Sequence, residues 1–440
     1  VRMNTEEAIV LALNASQTTN GVVVKGNRIY NSAASAAGTQ AAIVVGKSGT
    51  ATNNVITQNY LDNSGSNGTV NRGIATFTSS STTNTISNNQ IISAGNGSAD
   101  SSAGIFLASG GNTITKNVIS GTRASSVADN GNGITTTSTA ANTISSNSLS
   151  NNNGAGVLIG ASALAVVSQN TFTNNLRNSI DLIDSNTSSV TSNSTLLNGA
   201  NCVSNGSTAN GGLPRPEVTS FNLVGSSLKL TTLFCGTGTH TLEVYKASPG
   251  NGDFGALDGT ASSTCATPNA SSASCVATGE ASVYVGRITG VTGGSVFDST
   301  VTLASGVTVA DGDVLTVSST CTSGCTSTML GTSEMSAVKT LGSSVVSITG
   351  KVLLDPNATA GSGSALASQT VRLFSKNGVQ IASTSTNSTG DYSFNNLSPD
   401  TYYVTADASF REQTWASSGN ADTGSGPICT GASPTYTARA

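Results

Sequence analysis

The chain has 440 residues, of which only 9% are charged, and a net charge of −4; an average soluble domain carries about 25% charged residues. With no basic cluster to meet a phosphate backbone, nucleic acid is excluded as a partner. No run of about 18 apolar residues exists, so no transmembrane helix is expected.

The chain begins at Val1 and is read as processed or as a piece of a longer protein. Residues 1–14 form an N-terminal cap or a remnant coil. The cap reading is preferred: a short helix with Asn4 as N-cap and Glu7 at N3. The acids in this stretch are wrong for a signal peptide.

From residue 15 an eight-residue phrase returns: VVVKGNRI at 22–29, NVITQNYL at 54–61, NTISNNQI at 84–91, NTITKNVI at 112–119, NTISSNSL at 142–149 and AVVSQNTF at 165–172. A decayed copy starts at 188, and successive starts lie 32, 30, 28, 30, 23 and 23 residues apart. Self-similarity at such a period signals a solenoid. The third and eighth positions are apolar and the sixth is Asn. Apolar residues alternating with polar ones are the pattern of a strand with one buried face. The sixth-position Asn is expected to take the left-handed backbone of a corner. A second apolar point follows in each repeat, as at Gly73-Ile74, Gly104-Ile105 and Gly133-Ile134. Stacking at about 4.8 Å buries what one coil cannot. Residues 15–208 are therefore read as a parallel β-helix of about seven coils. Asn59, Asn89, Asn117, Asn147 and Asn170 are expected to stack as an amide ladder.

These phrases, with NNGAGVLIG at 152–160 and the Ser179-Ile180-Asp181-Leu182 step, resemble the right-handed parallel β-helix repeats of bacterial surface proteins and polysaccharide-active enzymes. The resemblance speaks to architecture and is nearly silent on activity. In the surface-protein branch a similar step closes the helix before a β-sandwich.

The period fails near residue 200, and 209–217, with Gly211, Gly212, Pro214 and Pro216, is read as a linker. Two-residue alternation then marks strands at 218–224, 228–234, 240–247, 282–291, 299–305 and 313–320, an antiparallel sandwich over 218–342. A second sandwich is expected over 343–410, with Asn377-Gly378 as a hairpin turn. Gly390-Asp391-Tyr392-Ser393-Phe394, Leu397, Pro399 and Tyr402 resemble the small Cna-B-like or transthyretin-like domains of bacterial surface proteins. That resemblance raises two features of the family. A Lys–Asn crosslink would use Lys351, but no Glu lies between 345 and 411 to serve as its buried acid. A calcium site would retain only Asp355 and Asn357 of an acidic run. The tail 411–440 carries Trp415 and is expected to dock on this sandwich or to reach a neighbour.

None of the seven cysteines lies inside the coils. With one His in the chain, a zinc site of the usual ligand mix is not expected. Disulfides in an oxidising compartment fit better. By proximity the pairs are Cys202 with Cys235, Cys265 with Cys275 and Cys321 with Cys325, leaving Cys429 unpaired or intersubunit.

Enzymes on this scaffold group carboxylates on one face. The coil acids Asp62, Asp100, Asp129, Asp181 and Asp184 fall at unlike offsets, so turn or cap hydrogen bonding is their expected role. His240 is expected at a surface or edge. Tyr30 and Tyr60 are expected to point outward on one face, where ordinary stacking outweighs a sugar platform. No catalytic, cofactor or metal residue is assigned. The reading is a non-enzymatic extracellular structural or adhesive surface protein, with copies of itself or surface glycans as partners. An open solenoid end would invite strand pairing into a fibre, sheath or surface layer. The alternatives are a polysaccharide lyase or hydrolase and a carbohydrate-binding module.

Overall fold

The computed structural model describes residues 2–4, 7–32, 41–63, 72–95, 102–123, 131–182, 209–213, 215–224, 227–233, 238–248, 279–292, 296–325, 331–342, 346–354, 363–375, 380–397 and 401–406, with the short segments 416–417, 420–421 and 436–437. Among these there is no α-helix, and hence no helix long and apolar enough to cross a membrane.

The first part is a parallel β-helix with three faces. Face one is a sheet of seven strands, ordered Arg2–Asn4, Arg28–Ser32, Tyr60–Asp62, Gln90–Ile92, Val118–Ser120, Ser148–Ser150 and Thr171–Thr173. Face two, also seven-stranded, runs from Ile9–Leu11 through Ala41–Val45, Arg72–Thr76, Ala103–Leu107, Asn132–Thr136 and Val157–Ile159 to Ile180–Leu182. Face three has six strands, from Val23–Lys25 through Val55–Thr57, Thr85–Ser87, Thr113–Thr115 and Asn142–Ser145 to Ala165–Ser168.

Register places like on like. Ile86 pairs with Ile56 on one side and Ile114 on the other, and Ile91 with Leu61 and Ile119. The third- and eighth-position residues are thus two aliphatic columns, and Ile56, Ile86, Ile114, Ile91 and Ile119 are all fully buried. Each such side chain contributes about 1.5–3 kcal/mol by leaving water. Face two closes over the eighth-position column through its glycines. A Cβ on Gly104 would stand 2.3 Å from Ile119 Cγ2, and one on Gly156 would stand 2.2 Å from Phe172 Cδ1. The glycines before the second apolar point therefore make room for the column opposite.

Two local expectations are corrected. Residues 7–16 hold no helix: Ile9–Leu11 pairs in parallel with Ala41–Val45, Ile9 opposite Ile43. β-branched Ile9 and Val10 meet an available strand edge, so the remnant-coil alternative holds. The left-handed corner residue is the fifth of the phrase, not the sixth. Gln58, Asn88, Lys116, Ser146 and Gln169 have φ between 54° and 57°. The Asn that follows each one does different work.

The second part is antiparallel. Glu217–Val224, Ser227–Leu233 and Val296–Thr300 form a three-stranded sheet. It packs against a larger sheet in which Thr239–Ser248 lies between Glu280–Thr292 and Val314–Ser323. Phe221, Leu230, Leu242, Val244, Val285 and Val317 fill the core between them. The third part pairs Val346–Lys351 with Asp391–Leu397, and Thr370–Ser375 with Gln380–Ser385 and Thr401–Ala406. Its small core holds Val371, Leu373, Phe394 and Tyr402. From the tail, Tyr436–Thr437 adds to Thr401–Ala406, so this piece of the tail docks on its own sandwich; Trp415 lies outside the described residues.

Candidate functional site

The Asn predicted to ladder do so. Asn59, Asn89, Asn117, Asn147 and Asn170 are buried, and each Nδ2 from Asn59 to Asn147 donates to the next Oδ1 at 2.9–3.0 Å. Asn27 adds a rung below, donating to Asn59 Oδ1 at 2.9 Å. Each Oδ1 also accepts the backbone N–H of the previous rung, as from Asn89 to Asn117 at 3.0 Å. Each Nδ2 reaches the previous coil as well, as from Asn117 to the Ile86 carbonyl at 2.9 Å. The side-chain amide thus bonds the backbone groups that the corner removes from the sheets. A second ladder runs through the first position of the phrase: Asn54, Asn84, Asn112 and Asn142, at 2.9–3.2 Å. The recurrence of Asn at that position in four consecutive phrases was its sequence signal. A third, shorter pair joins Asn152 to Asn175 at 2.7 Å.

The last coil would expose a row of unpaired N–H groups, and the second part of the chain covers it. On the column of the second ladder, Asn210 takes the next rung. Its Oδ1 accepts from Ala165 N at 2.7 Å, and its Nδ2 donates to Ala165 O at 3.0 Å and to Thr332 O at 2.7 Å. Residues 209–213, read as part of a linker, are instead a turn packed between the two parts, with Ala209, Asn210 and Leu213 fully buried. Asn210 and Gly211 carry the positive φ that the turn requires, 45° and 64°. Beside it, Val167 N donates to Thr332 Oγ1 at 2.8 Å.

Three glutamates complete the cover. Glu243 accepts from Ser168 Oγ at 2.6 Å, Gln169 N at 2.9 Å and Tyr245 OH at 2.6 Å. Glu280 stands above the third ladder and accepts from Asn175 N at 2.9 Å. Glu334 accepts from Leu182 N at 3.2 Å. Tyr245, Ala281 and Met335 enter the core of the β-helix itself, making the contact apolar at its centre. The solenoid's C-terminal end is therefore closed, as the resemblance of the Ser179-Ile180-Asp181-Leu182 step implies. Burial pushes the Glu280 carboxyl up to about 8, against the downward pull of the Asn175 and Asn174 hydrogen bonds. Burial lowers the Arg215 guanidinium, which Glu334 and Glu217 partly hold charged. Burial, with Glu243 adding to it, raises the Tyr245 hydroxyl well above its ordinary value.

The coil acids do not converge among the described residues. Asp62 accepts from Tyr60 OH at 3.2 Å, and Asp181 is buried on face two in register with Leu158. Asp100, Asp129 and Asp184 lie outside the described residues. Tyr30 and Tyr60 sit on adjacent strands of face one, ring centroids 5.8 Å apart and both partly exposed. Arg72 is buried against Phe77 and Phe106, its guanidinium 5.4 and 4.1 Å from the ring centroids, and burial lowers it to about 10.

In the third part Lys351 donates to Asp391 at 2.6 Å and to the Thr389 carbonyl at 3.0 Å. Both side chains of that pair are about half exposed, 50% and 44%, so Lys351 does not sit under a buried acid. The hydrogen bond from Lys351, then that from Thr389, lowers the Asp391 carboxyl. Asp355 and Asn357 lie outside the described residues.

Cys321 and Cys325 are disulfide-bonded, with Cα atoms 6.3 Å apart. Cys202, Cys235, Cys265, Cys275 and Cys429 lie outside the described residues. His240 is fully buried, not at a surface or edge, with Nδ1 3.0 Å from Ser319 Oγ. It begins a strand flanked by a partner on both sides, which places its ring inside the sheet packing.

Residues 72–213 match the family described as right handed beta helix region. The match and the three-faced solenoid agree on a right-handed parallel β-helix. No curated protein matches the chain.

Proposed function

We propose that this chain is an extracellular structural or adhesive surface protein in which the β-helix is a stiff spacer ending in sandwich modules. The observation that carries the proposal is the closed end. Asn210, Thr332, Glu243, Glu280 and Glu334 occupy acceptor positions that another coil would otherwise fill. The three buried carboxyl groups are thereby committed to backbone and hydroxyl donors of the last coil, not presented to a substrate. Low charge and hydroxyl-rich faces suit a surface that lies against glycans or other copies. Because the C-terminal end is covered, assembly into a fibre, sheath or layer runs through another surface.

The test combines two assays on the purified chain. Incubation with a panel of neutral and acidic polysaccharides is expected to release neither reducing ends nor unsaturated uronates. Surface labelling of intact source cells is expected to find the chain outside. Sustained release of sugar ends, dependent on Asp62 or Asp181, overturns the structural reading in favour of a lyase or hydrolase.

A carbohydrate-binding role is favoured by one observation, the partly exposed Tyr30–Tyr60 pair with Asp62 hydrogen-bonded beside it. Aromatic faces stack on sugar rings, and a carboxylate accepts from sugar hydroxyls. A glycan array decides it: binding that Tyr60→Ala abolishes supports the role, and binding that survives both Tyr30→Ala and Tyr60→Ala removes it.

A further inference from the structure

We propose that His240, Cys321 and Cys325 form a site for a thiolate-binding cation, Zn2+ by its chemistry, when the Cys321–Cys325 bond is reduced. His240 and Cys321 stand opposite each other in the pairing of Thr239–Ser248 with Val314–Ser323. Cys325 follows across a tight turn through Gly324, whose φ is 67°. One ring nitrogen and both sulfurs lie within 4.8 Å of one another. Two thiolates on one zinc, each bonded at about 2.3 Å, stand about 3.8 Å apart in a tetrahedral site. Opening the S–S bond and parting the sulfurs to that distance needs only local movement.

The surroundings are built for close approach. A Cβ on Gly238, two residues before the histidine, would stand 2.3 Å from Ser323 O and 2.6 Å from Cys325 N. Glycine there lets the cysteine turn lie against the strand that carries His240. Ser319 Oγ, 3.0 Å from Nδ1, orients the ring from its own strand, as an outer partner of a metal-bound imidazole does. His240 is fully buried and Cys321 is 8% exposed, so a cation here is largely shielded from water.

The chemistry balances. A dithiol or phosphine reductant supplies two electrons and, with two protons, converts the disulfide to two thiols. Zn2+ then displaces both thiol protons and binds two thiolates and a neutral imidazole. Two thiolates cancel its charge, which suits a partly buried position, and three protein ligands leave a fourth position for water. The strand survives the opening, because the bond spans four residues while Val314–Ser323 pairs with Thr239–Ser248 along its length.

The test uses the full chain, reduced by a phosphine without oxygen and then freed of reductant. Zn2+ is expected to protect Cys321 and Cys325 from alkylation, as mapped by peptide mass spectrometry, while the oxidised chain binds none. Co2+ is expected to give a thiolate charge-transfer band and tetrahedral visible bands. Cys325→Ser weakens the first, and His240→Gln alters the second with circular dichroism unchanged. Equal alkylation of Cys321 and Cys325 with and without Zn2+, in a reduced chain that remains folded, overturns the proposal without recourse to any variant. Cobalt spectra identical in the parent, Cys325→Ser and His240→Gln chains also overturn it, since the ion would then be bound elsewhere.

Discussion

A single asparagine in this solenoid serves three partners at once, and the cost of losing it follows from that. Asn117 Oδ1 accepts from both the backbone and the side chain of Asn89, and its Nδ2 donates to Ile86 O and Asn147 Oδ1. Asn117→Ala leaves the buried Asn89 N–H and the Ile86 carbonyl without those partners. Each buried orphan costs about 1–3 kcal/mol, so a total loss near 3 kcal/mol is expected in chemical denaturation. A loss under about 0.5 kcal/mol, the level of an ordinary surface change, would show the ladder to be decorative. The predicted ladder positions were legible because one residue type recurred at one offset. The corner conformation was not, since four different residue types occupy the five fifth positions from Gln58 to Gln169. Left-handed backbone costs a non-glycine residue about 1–2 kcal/mol, and coil stacking imposes it whatever the side chain. The first-position ladder was equally visible as Asn54, Asn84, Asn112 and Asn142. That column is shorter than the sixth-position one, because Val22 and Ala165 take the first position in the copies at 22–29 and 165–172.

The junction responds to pH through Glu280. Its folded carboxyl titrates near 8, above the ordinary value of 4.5. The folded state therefore holds the proton more tightly than the unfolded chain. Its contribution is complete below about 4.5 and is lost as pH rises through about 8. Glu280 Oε2 has no hydrogen-bond partner among the described residues, so ionisation places charge on a buried carboxyl that the Asn174 and Asn175 donors only partly compensate. Glu280→Gln keeps an Oε1 acceptor for Asn175 N and cannot ionise. Thermal melts between pH 5 and 8 are expected to fall for the parent chain and to lie flatter for the variant. Parallel curves would assign the pH dependence to other groups. The site was illegible from sequence for a plain reason: Glu280 meets Asn175 across 105 residues, and Glu334 meets Leu182 across 152. Periodicity reports contacts between neighbouring coils, and a carboxylate that ends a ladder repeats nothing. The strand pattern of 217–342 was readable, but not which of its side chains would face the helix.

At the scale of the molecule, a solenoid must end somewhere without leaving its edge for another copy. Here the edge is covered by the chain's own second part, with Tyr245, Ala281 and Met335 completing the aliphatic columns. The period alone made the β-helix legible, because stacked coils leave one offset for every inward residue. Its closure depends on contacts between distant segments, including the buried turn at 209–213 that glycine and proline content had marked as a linker. The closure makes a direct prediction about association. A fragment ending at residue 208 lacks Asn210, Glu243, Glu280, Thr332 and Glu334, so the N–H groups of Ala165, Val167, Asn175 and Leu182 face water or another molecule. Light scattering coupled to size exclusion is expected to show concentration-dependent self-association of the fragment well beyond that of the full chain. Restoring residues 209–342 is expected to reverse it. If fragment and full chain associate equally, the second part is not what keeps this edge from pairing.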